Sequence, residues 1–243
     1  MTGLALTLVL TSAFIHASWN FLAKRAGGGA AFVWLFALLS VIIYLPLAIG
    51  ILLVQRPQLG PTELFFILGS AVLHLGYFLM LQRGYSVGDL SLIYPLARGT
   101  GPTLSTLAAI TFFGERPTVL AMAGTALVVT GVFILTGGPL ILSRDKGRQS
   151  IIFGLLTGFI IAGYTLWDKY SVGVLLIPPL LHDYGANLGR TIMLAPYARR
   201  HWDEVVTEWR THRLEAIGVA SLSPLAYILV LTALAFTPVS YVA

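Results

Sequence analysis

Runs of about twenty apolar residues recur along this chain with little polar sequence between them, and this recurrence constrains the fold more than any other feature. A helix needs about 20 apolar residues to cross the hydrocarbon core of a bilayer. Eight such runs occur, at 3–24, 31–54, 63–83, 89–112, 117–137, 150–169, 176–198 and 215–236. The breaks carry loop chemistry: Lys24-Arg25-Ala26-Gly27-Gly28-Gly29, Gln55-Arg56-Pro57 and Gly114-Glu115-Arg116-Pro117. Backbone polar groups in lipid must be satisfied internally, which leaves helices or closed barrels. The residue-by-residue alternation that marks barrel strands is absent, so the sequence predicts an all-α integral membrane protein of about eight transmembrane helices.

Composition excludes several other classes. Only 10% of residues are charged and 57% are apolar, whereas a soluble domain is about 25% charged. So few charges cannot cover a water-facing surface, and the surface is expected to face the lipid bilayer. Lys and Arg flank the apolar runs and form no basic stripe interleaved with aromatics, so no nucleic-acid partner is expected. The lack of cysteine excludes disulfides, zinc–thiolate sites and thiol catalysis. Met1–Leu10 carries no Lys or Arg, and the first run continues to Lys24-Arg25, so it reads as a retained membrane helix and not a cleaved signal. There is no Gly-x-Ser-x-Gly elbow, no His-Glu-x-x-His pair and no Gly-x-x-x-x-Gly-Lys loop. The acids are few and lie mostly between runs, so the expectation is no enzyme, no catalytic residues, no metal and no cofactor.

The chain also resembles itself. Phe14, Ile15, Ala17 and Lys24 match Phe159, Ile160, Ala162 and Lys169 at an offset of 145, with Ser18 facing Gly163 and Trp19 facing Tyr164. Tyr77, Leu79 and Leu81 match Tyr227, Leu229 and Leu231 at an offset of 150. The expected organisation is a five-helix half at 1–137, a polar linker at 138–149 and a second half at 150–243. An odd number of spans makes the second copy enter the membrane from the other side, the inverted-repeat plan of many secondary transporters. Helices 6, 7 and 8 answer to 1, 2 and 3, and Thr237–Ala243 aligns with Gly88–Tyr94 at the start of helix 4. On this alignment the last two helices of the second half are missing.

Several motifs carry a family resemblance in their order and spacing. His16-Ala17-Ser18-Trp19-Asn20 with Lys24-Arg25 opens the first half. Tyr94-Pro95-Leu96-Ala97-Arg98-Gly99 leads into Gly101-Pro102, and Gly114-Glu115-Arg116-Pro117 follows. Ala123-Gly124-Thr125-Ala126 and Thr130-Gly131-Val132 mark the fifth helix. With these the chain resembles the drug/metabolite transporter superfamily in its EamA-type form, over nearly its whole length. The resemblance implies two five-helix halves, a multi-pass protein of the cell (plasma) membrane, and a cytoplasmic N-terminus. It also implies movement of a small metabolite through a cavity lined by helices 1, 3, 4, 6, 8 and 9. The rival reading is a truncated, non-transporting relative or assembly partner.

Arg98 is the sharpest candidate for substrate binding. It lies near mid-membrane, where an arginine costs about 2.5–3.5 kcal/mol on insertion scales. Pro95, Gly99, Gly101 and Pro102 surround it and predict a local break or kink. A cation beside freed backbone suits a carboxylate or phosphate; the alternative is an ion pair with Asp89 or Asp183. Tyr94 is placed with Arg98. His16, Trp19 and Asn20 fall on one helical face. They either line the cavity, with His16 as a proton acceptor, or hold helix 1 to its neighbours. His74 and Tyr77 form a similar pair, and Tyr164 and Tyr227 hold the related positions on helices 6 and 8. The expected substrate is a small polar metabolite, anionic or zwitterionic, moved by alternating access on a membrane gradient, with a coupling proton as a candidate partner.

Four further expectations concern structure. Asp183, Asn187 and Arg190 share a face of helix 7 and should satisfy one another. Gly124, Gly131 and Gly138, and Gly154, Gly158 and Ala162, should be packing faces. Residues 199–213, with Trp202, Val205, Val206 and Trp209 as a stripe, should form a surface-lying helix. Odd-numbered loops carry Lys24, Arg25, Arg83, Arg144, Lys146, Arg148, Arg199, Arg200, Arg210 and Arg213, and even-numbered loops carry Arg56, Arg116 and Lys169. That count puts the N-terminus outside, against the cytoplasmic N-terminus that the resemblance implies, to which the overall reading leans.

Overall fold

The computed structural model describes residues 2–26, 29–87, 90–135 and 145–242. The helices are α1 (Gly3–Arg25), α2 (Ala30–Gln55), α3 (Pro61–Val87), α4 (Leu90–Phe112), α5 (Val119–Leu135), α6 (Asp145–Gly173), α7 (Pro179–Arg200), α8 (Trp202–Phe236) and the short α9 (Val239–Val242). No strand occurs among the described residues. Among the described residues, five helical segments are long and apolar enough to cross a membrane: Gly3–Arg25, Ala30–Gln55, Pro61–Leu81, Gly147–Gly173 and Trp202–Phe236. The apolar stretch of α5, Val119–Val132, is shorter. The other two expected spans, α4 and α7, hold the prolines and charges that lower their apolarity: Pro95, Arg98 and Pro102 in one, Asp183, Arg190 and Pro196 in the other. Most of the expected linker, 136–144, lies outside the described residues, and α6 begins at Asp145, before the predicted start at 150.

The chain forms two compact units. The first comprises Met1–Val72 with Asp168–Thr237. Within it α1 packs on α8, and α2 packs on both α7 and α8. Small residues allow the close approach: a Cβ added at Gly218 would meet Leu22 Cδ1 at 2.6 Å, and one at Gly189 would meet the Ala71 Cβ at 2.8 Å. Polar atoms then bind the helices where the backbone is interrupted. Pro224 has no N–H to give the carbonyl of Ala220 four residues back. Ser40 of α2 donates to that carbonyl at 3.0 Å, and Tyr44 donates to the next one, Ser221, at 2.6 Å. Ser12 of α1 donates to the Ala226 carbonyl at 2.8 Å. This is how a neighbouring helix makes a proline tolerable in lipid.

The start of α8 bears on the expected surface helix. Residues 202–236 run as two helical arms that meet at His212, whose φ of −126° and ψ of 29° leave the helical region. The helix expected within 199–213 is therefore present as the first arm. Its stripe divides: Val205 is buried against Ala31 and Ala198, with Trp34 and Tyr197 packed around them, while Trp202 and Trp209 are exposed.

The second unit comprises Leu73–Trp167 with Pro238–Ala243. Here α4 is gripped through its small residues. An added Cβ at Gly99 would fall 2.2 Å from Val132 of α5, and one at Gly101 would fall 2.5 Å from Ile161 of α6. From α6, Gly154 approaches Leu96 and Gly158 approaches Thr100, so that expected glycine face is a packing face. The other is not: Gly124 and Gly131 meet nothing within 4 Å, and Gly138 lies outside the described residues. The Gly114-Glu115-Arg116-Pro117 loop has a structural task. The Glu115 carboxylate accepts the N–H groups of Val239 at 2.7 Å and Ser240 at 3.0 Å, so it holds the first orphan donors of α9.

Candidate functional site

In the second unit, five of the predicted residues come together. Arg98 of α4 is half-buried, and its guanidinium donates to the hydroxyl of Tyr77 on α3 at 3.2 Å. Its Cζ also lies 5.6 Å from the centre of the Tyr94 ring, one turn earlier on α4. Tyr77 is buried, and its ring meets Tyr164 of α6 edge-on at 5.8 Å. His74, one turn before Tyr77, stacks on Tyr164 at 4.2 Å with 28° between the planes. The i, i+3 spacing of His74 and Tyr77 and the i, i+4 spacing of Tyr94 and Arg98 put each pair on one helical face. The result is a cation with a π-face beneath it and a buried phenol and a stacked ring pair beside it.

The expected break around Arg98 does not occur: α4 runs as one helix through Pro95 and Pro102. Pro102 still removes the N–H that would reach the Arg98 carbonyl. The hydroxyls of Thr103 and Ser105 bond to the carbonyls of Gly99 and Gly101, at 2.7 and 2.8 Å. The close fit of Gly99 against Val132 and of Gly101 against Ile161 keeps this stretch packed and helical. Of the alternative partners for Arg98, Asp89 lies outside the described residues, and Asp183 is bonded to Asn187 in the first unit.

The remaining predicted residues belong to the first unit. His16, Trp19 and Asn20 share a face of α1 and bond to one another: Trp19 Nε1 donates to His16 Nδ1 at 3.3 Å, and Asn20 donates to the His16 carbonyl at 2.7 Å. Trp19 is buried, and its ring meets His16 edge-on at 4.8 Å. The Asp183, Asn187 and Arg190 expectation holds. Asn187 donates to the Asp183 carboxylate at 2.9 Å, and Arg190 donates to the Asn187 side-chain oxygen Oδ1 at 2.5 Å.

Tyr227 leads to a cluster that the sequence reading missed. Its hydroxyl donates to Oδ2 of Asp168 on α6, and the other oxygen, Oδ1, lies 2.9 Å from Nε2 of His182 on α7. Asp168 and His182 are both fully buried. The adjacent Lys169 caps the carbonyl end of α8, with Nζ 2.6 Å from the Leu234 oxygen and 3.0 Å from that of Thr237. A cation at a helix C-terminus offsets its partial negative charge. The available signal was an Asp-Lys pair near the end of an apolar run together with His182-Asp183 inside the next.

Residues 3–137 match the profile of the EamA-like transporter family. No curated protein matches the chain at a significant level.

Proposed function

This chain belongs to the EamA-like transporter family, and from that premise we propose that it carries a small anionic or zwitterionic metabolite across the plasma membrane by alternating access. The family makes it a multi-pass membrane transporter of the drug/metabolite superfamily. The observation that carries the finer reading is the setting of Arg98, a half-buried cation on α4, bonded to a buried tyrosine and flanked by stacked rings. Ionisable groups at this depth mark substrate pathways. A planar guanidinium matches a carboxylate with two parallel hydrogen bonds, and the His74–Tyr164 stack offers an apolar wall for the rest of the molecule.

The helix pairing supports the inverted repeat and hence alternating access. Exchange of the two halves maps α1 onto α6, α2 onto α7 and α3 onto α8. The α2–α7 pair maps onto itself, and α1–α8 maps onto α3–α6. Both α1–α8 and α2–α7 pack together. The α3–α6 pairing recurs within each unit, as Phe66 stacked on Tyr170 at 5.1 Å in the first and His74 on Tyr164 in the second. We further propose that a proton gradient drives the cycle.

Metabolite profiling tests this reading. Cells that express the chain, the Arg98→Ala variant or neither are compared for the contents of cytoplasm and medium. The expected result is a carboxylate- or phosphate-bearing metabolite whose distribution shifts with the wild type and returns to the control with Arg98→Ala. A shift confined to cations or neutral compounds would overturn the substrate class.

A further inference from the structure

We propose that Asp168, His182 and Tyr227 form a proton-binding site in which Nδ1 of His182 takes up and releases the proton. The proposed role, coupling transport to a proton gradient, rests on the transport reading above.

Three helices of one unit build the cluster: α6 gives Asp168, α7 gives His182 and α8 gives Tyr227. Asp168 accepts on both oxygens, from the Tyr227 hydroxyl on Oδ2 and from His182 on Oδ1 at 2.9 Å. Acceptance on both sides assigns the carboxylate form to Asp168 and places the imidazole hydrogen on Nε2. Nδ1 then carries a bare lone pair. That atom is fully buried and has no hydrogen-bond partner. An unpaired buried nitrogen is uncommon enough to call for an explanation.

The surroundings suit one additional positive charge. On α6, Lys169 is held by the carbonyls of Leu234 and Thr237. On α7, Asp183 is bonded to Asn187 and lies within electrostatic reach of His182, Asp168 and Arg190. From α2, Tyr44 bonds to the Ser221 carbonyl and interacts with Asp183; from α8 comes Tyr227. The charged groups around His182 are thus Asp168, Asp183, Lys169 and Arg190. Uptake transfers a proton from hydronium to the Nδ1 lone pair. An N–H bond forms, an O–H bond breaks and water leaves, while Nε2–H stays on Asp168. Because Nδ1 is sealed from solvent, the transfer needs a conformation that admits water. Charge state and conformation are thereby linked, which proton coupling requires.

The test uses the full chain in lipid nanodiscs with 15N-labelled histidine. The five histidines give separable signals, and His182→Gln identifies the one in question. Where His182→Gln fails to fold, replacing His16, His74, His201 and His212 by Gln leaves His182 as the sole label. As the pH is lowered, the His182 signals should convert from one protonated nitrogen to two. Asp168→Asn keeps a hydrogen-bonding group but removes the charge, and should lower the charged-to-neutral ratio at a given pH by about tenfold or more. A His182 pattern that stays fixed as the pH is lowered, or a ratio that Asp168→Asn leaves unchanged, would overturn the proton site. The readout needs no substrate. A converting His182 in a chain that moves nothing would therefore overturn the transport reading alone, and a fixed His182 in a chain that transports would overturn the proton site alone.

Discussion

The polar clusters around Asp168 and around Arg98 solve the problem of charge in an apolar surrounding differently. Around Asp168 each partner is supplied by another helix: an imidazole from α7, a phenol from α8. Asp168 and His182 are completely enclosed. Around Arg98 the described neighbours include the Tyr77 hydroxyl and the Tyr94 ring, the cation is only half-buried, and Tyr94 is 39% exposed. The first arrangement contributes to holding its unit together. The second leaves its cation and one ring partly open to the surroundings.

The strongest way to break this comparison is to remove one member of the closed cluster. Asp168→Ala leaves His182 and Tyr227 without their shared acceptor, and the loss of one partner of a buried pair costs about 3–5 kcal/mol. Thermal unfolding in detergent should show a large loss for Asp168→Ala and a much smaller one for Arg98→Ala. Equal losses would erase the distinction. At the open cluster, Arg98→Lys keeps the charge but loses the planar fork. Affinity for the metabolite found by profiling should fall by about 1.5–3 kcal/mol, the worth of a hydrogen bond to a charged group, with the melting temperature unchanged.

These contrasts bear on what the sequence makes legible. Arg98 stands out because a lone arginine in an apolar run is visible without any knowledge of its neighbours, and His74, Tyr77, Tyr94 and Tyr164 follow from helical spacing and the internal repeat. Asp168 is hidden for two reasons. The apolar run containing it ends at Lys169 by composition, whereas α6 continues to Gly173, which places Asp168 inside the helix. Its partners, His182 and Tyr227, are 14 and 59 residues away, and no local pattern joins them. Glycines give the same lesson. Gly154 and Gly158 pack closely, while Gly124 and Gly131, in an equally regular pattern, face open space. Spacing sets which residues share a face, but only tertiary structure sets what that face meets.

Smaller effects sharpen the picture. Gly99→Ala forces a methyl toward Val132 Cγ2 and should cost about 1–3 kcal/mol through overpacking, whereas Gly124→Ala should be neutral or slightly stabilising. Parallel melting curves of the two variants check this, and equal melting temperatures would contradict the packing described. Ser40→Ala removes the donor that serves the Ala220 carbonyl freed by Pro224, and a loss of about 0.6 kcal/mol is expected, the average for a side-chain hydrogen bond between membrane helices. Restoration of the loss by Pro224→Ala in the same chain would tie the bond to the proline.

The central claim is that Arg98 binds the carried anion and does not merely hold the fold. The direct measurement takes wild type and Arg98→Ala purified side by side. It compares flux of the profiled metabolite into vesicles and thermal stability for each. The account predicts flux reduced to the level of empty vesicles at an unchanged melting temperature. Undiminished flux in Arg98→Ala, or a fall in stability as large as that of Asp168→Ala, would contradict it.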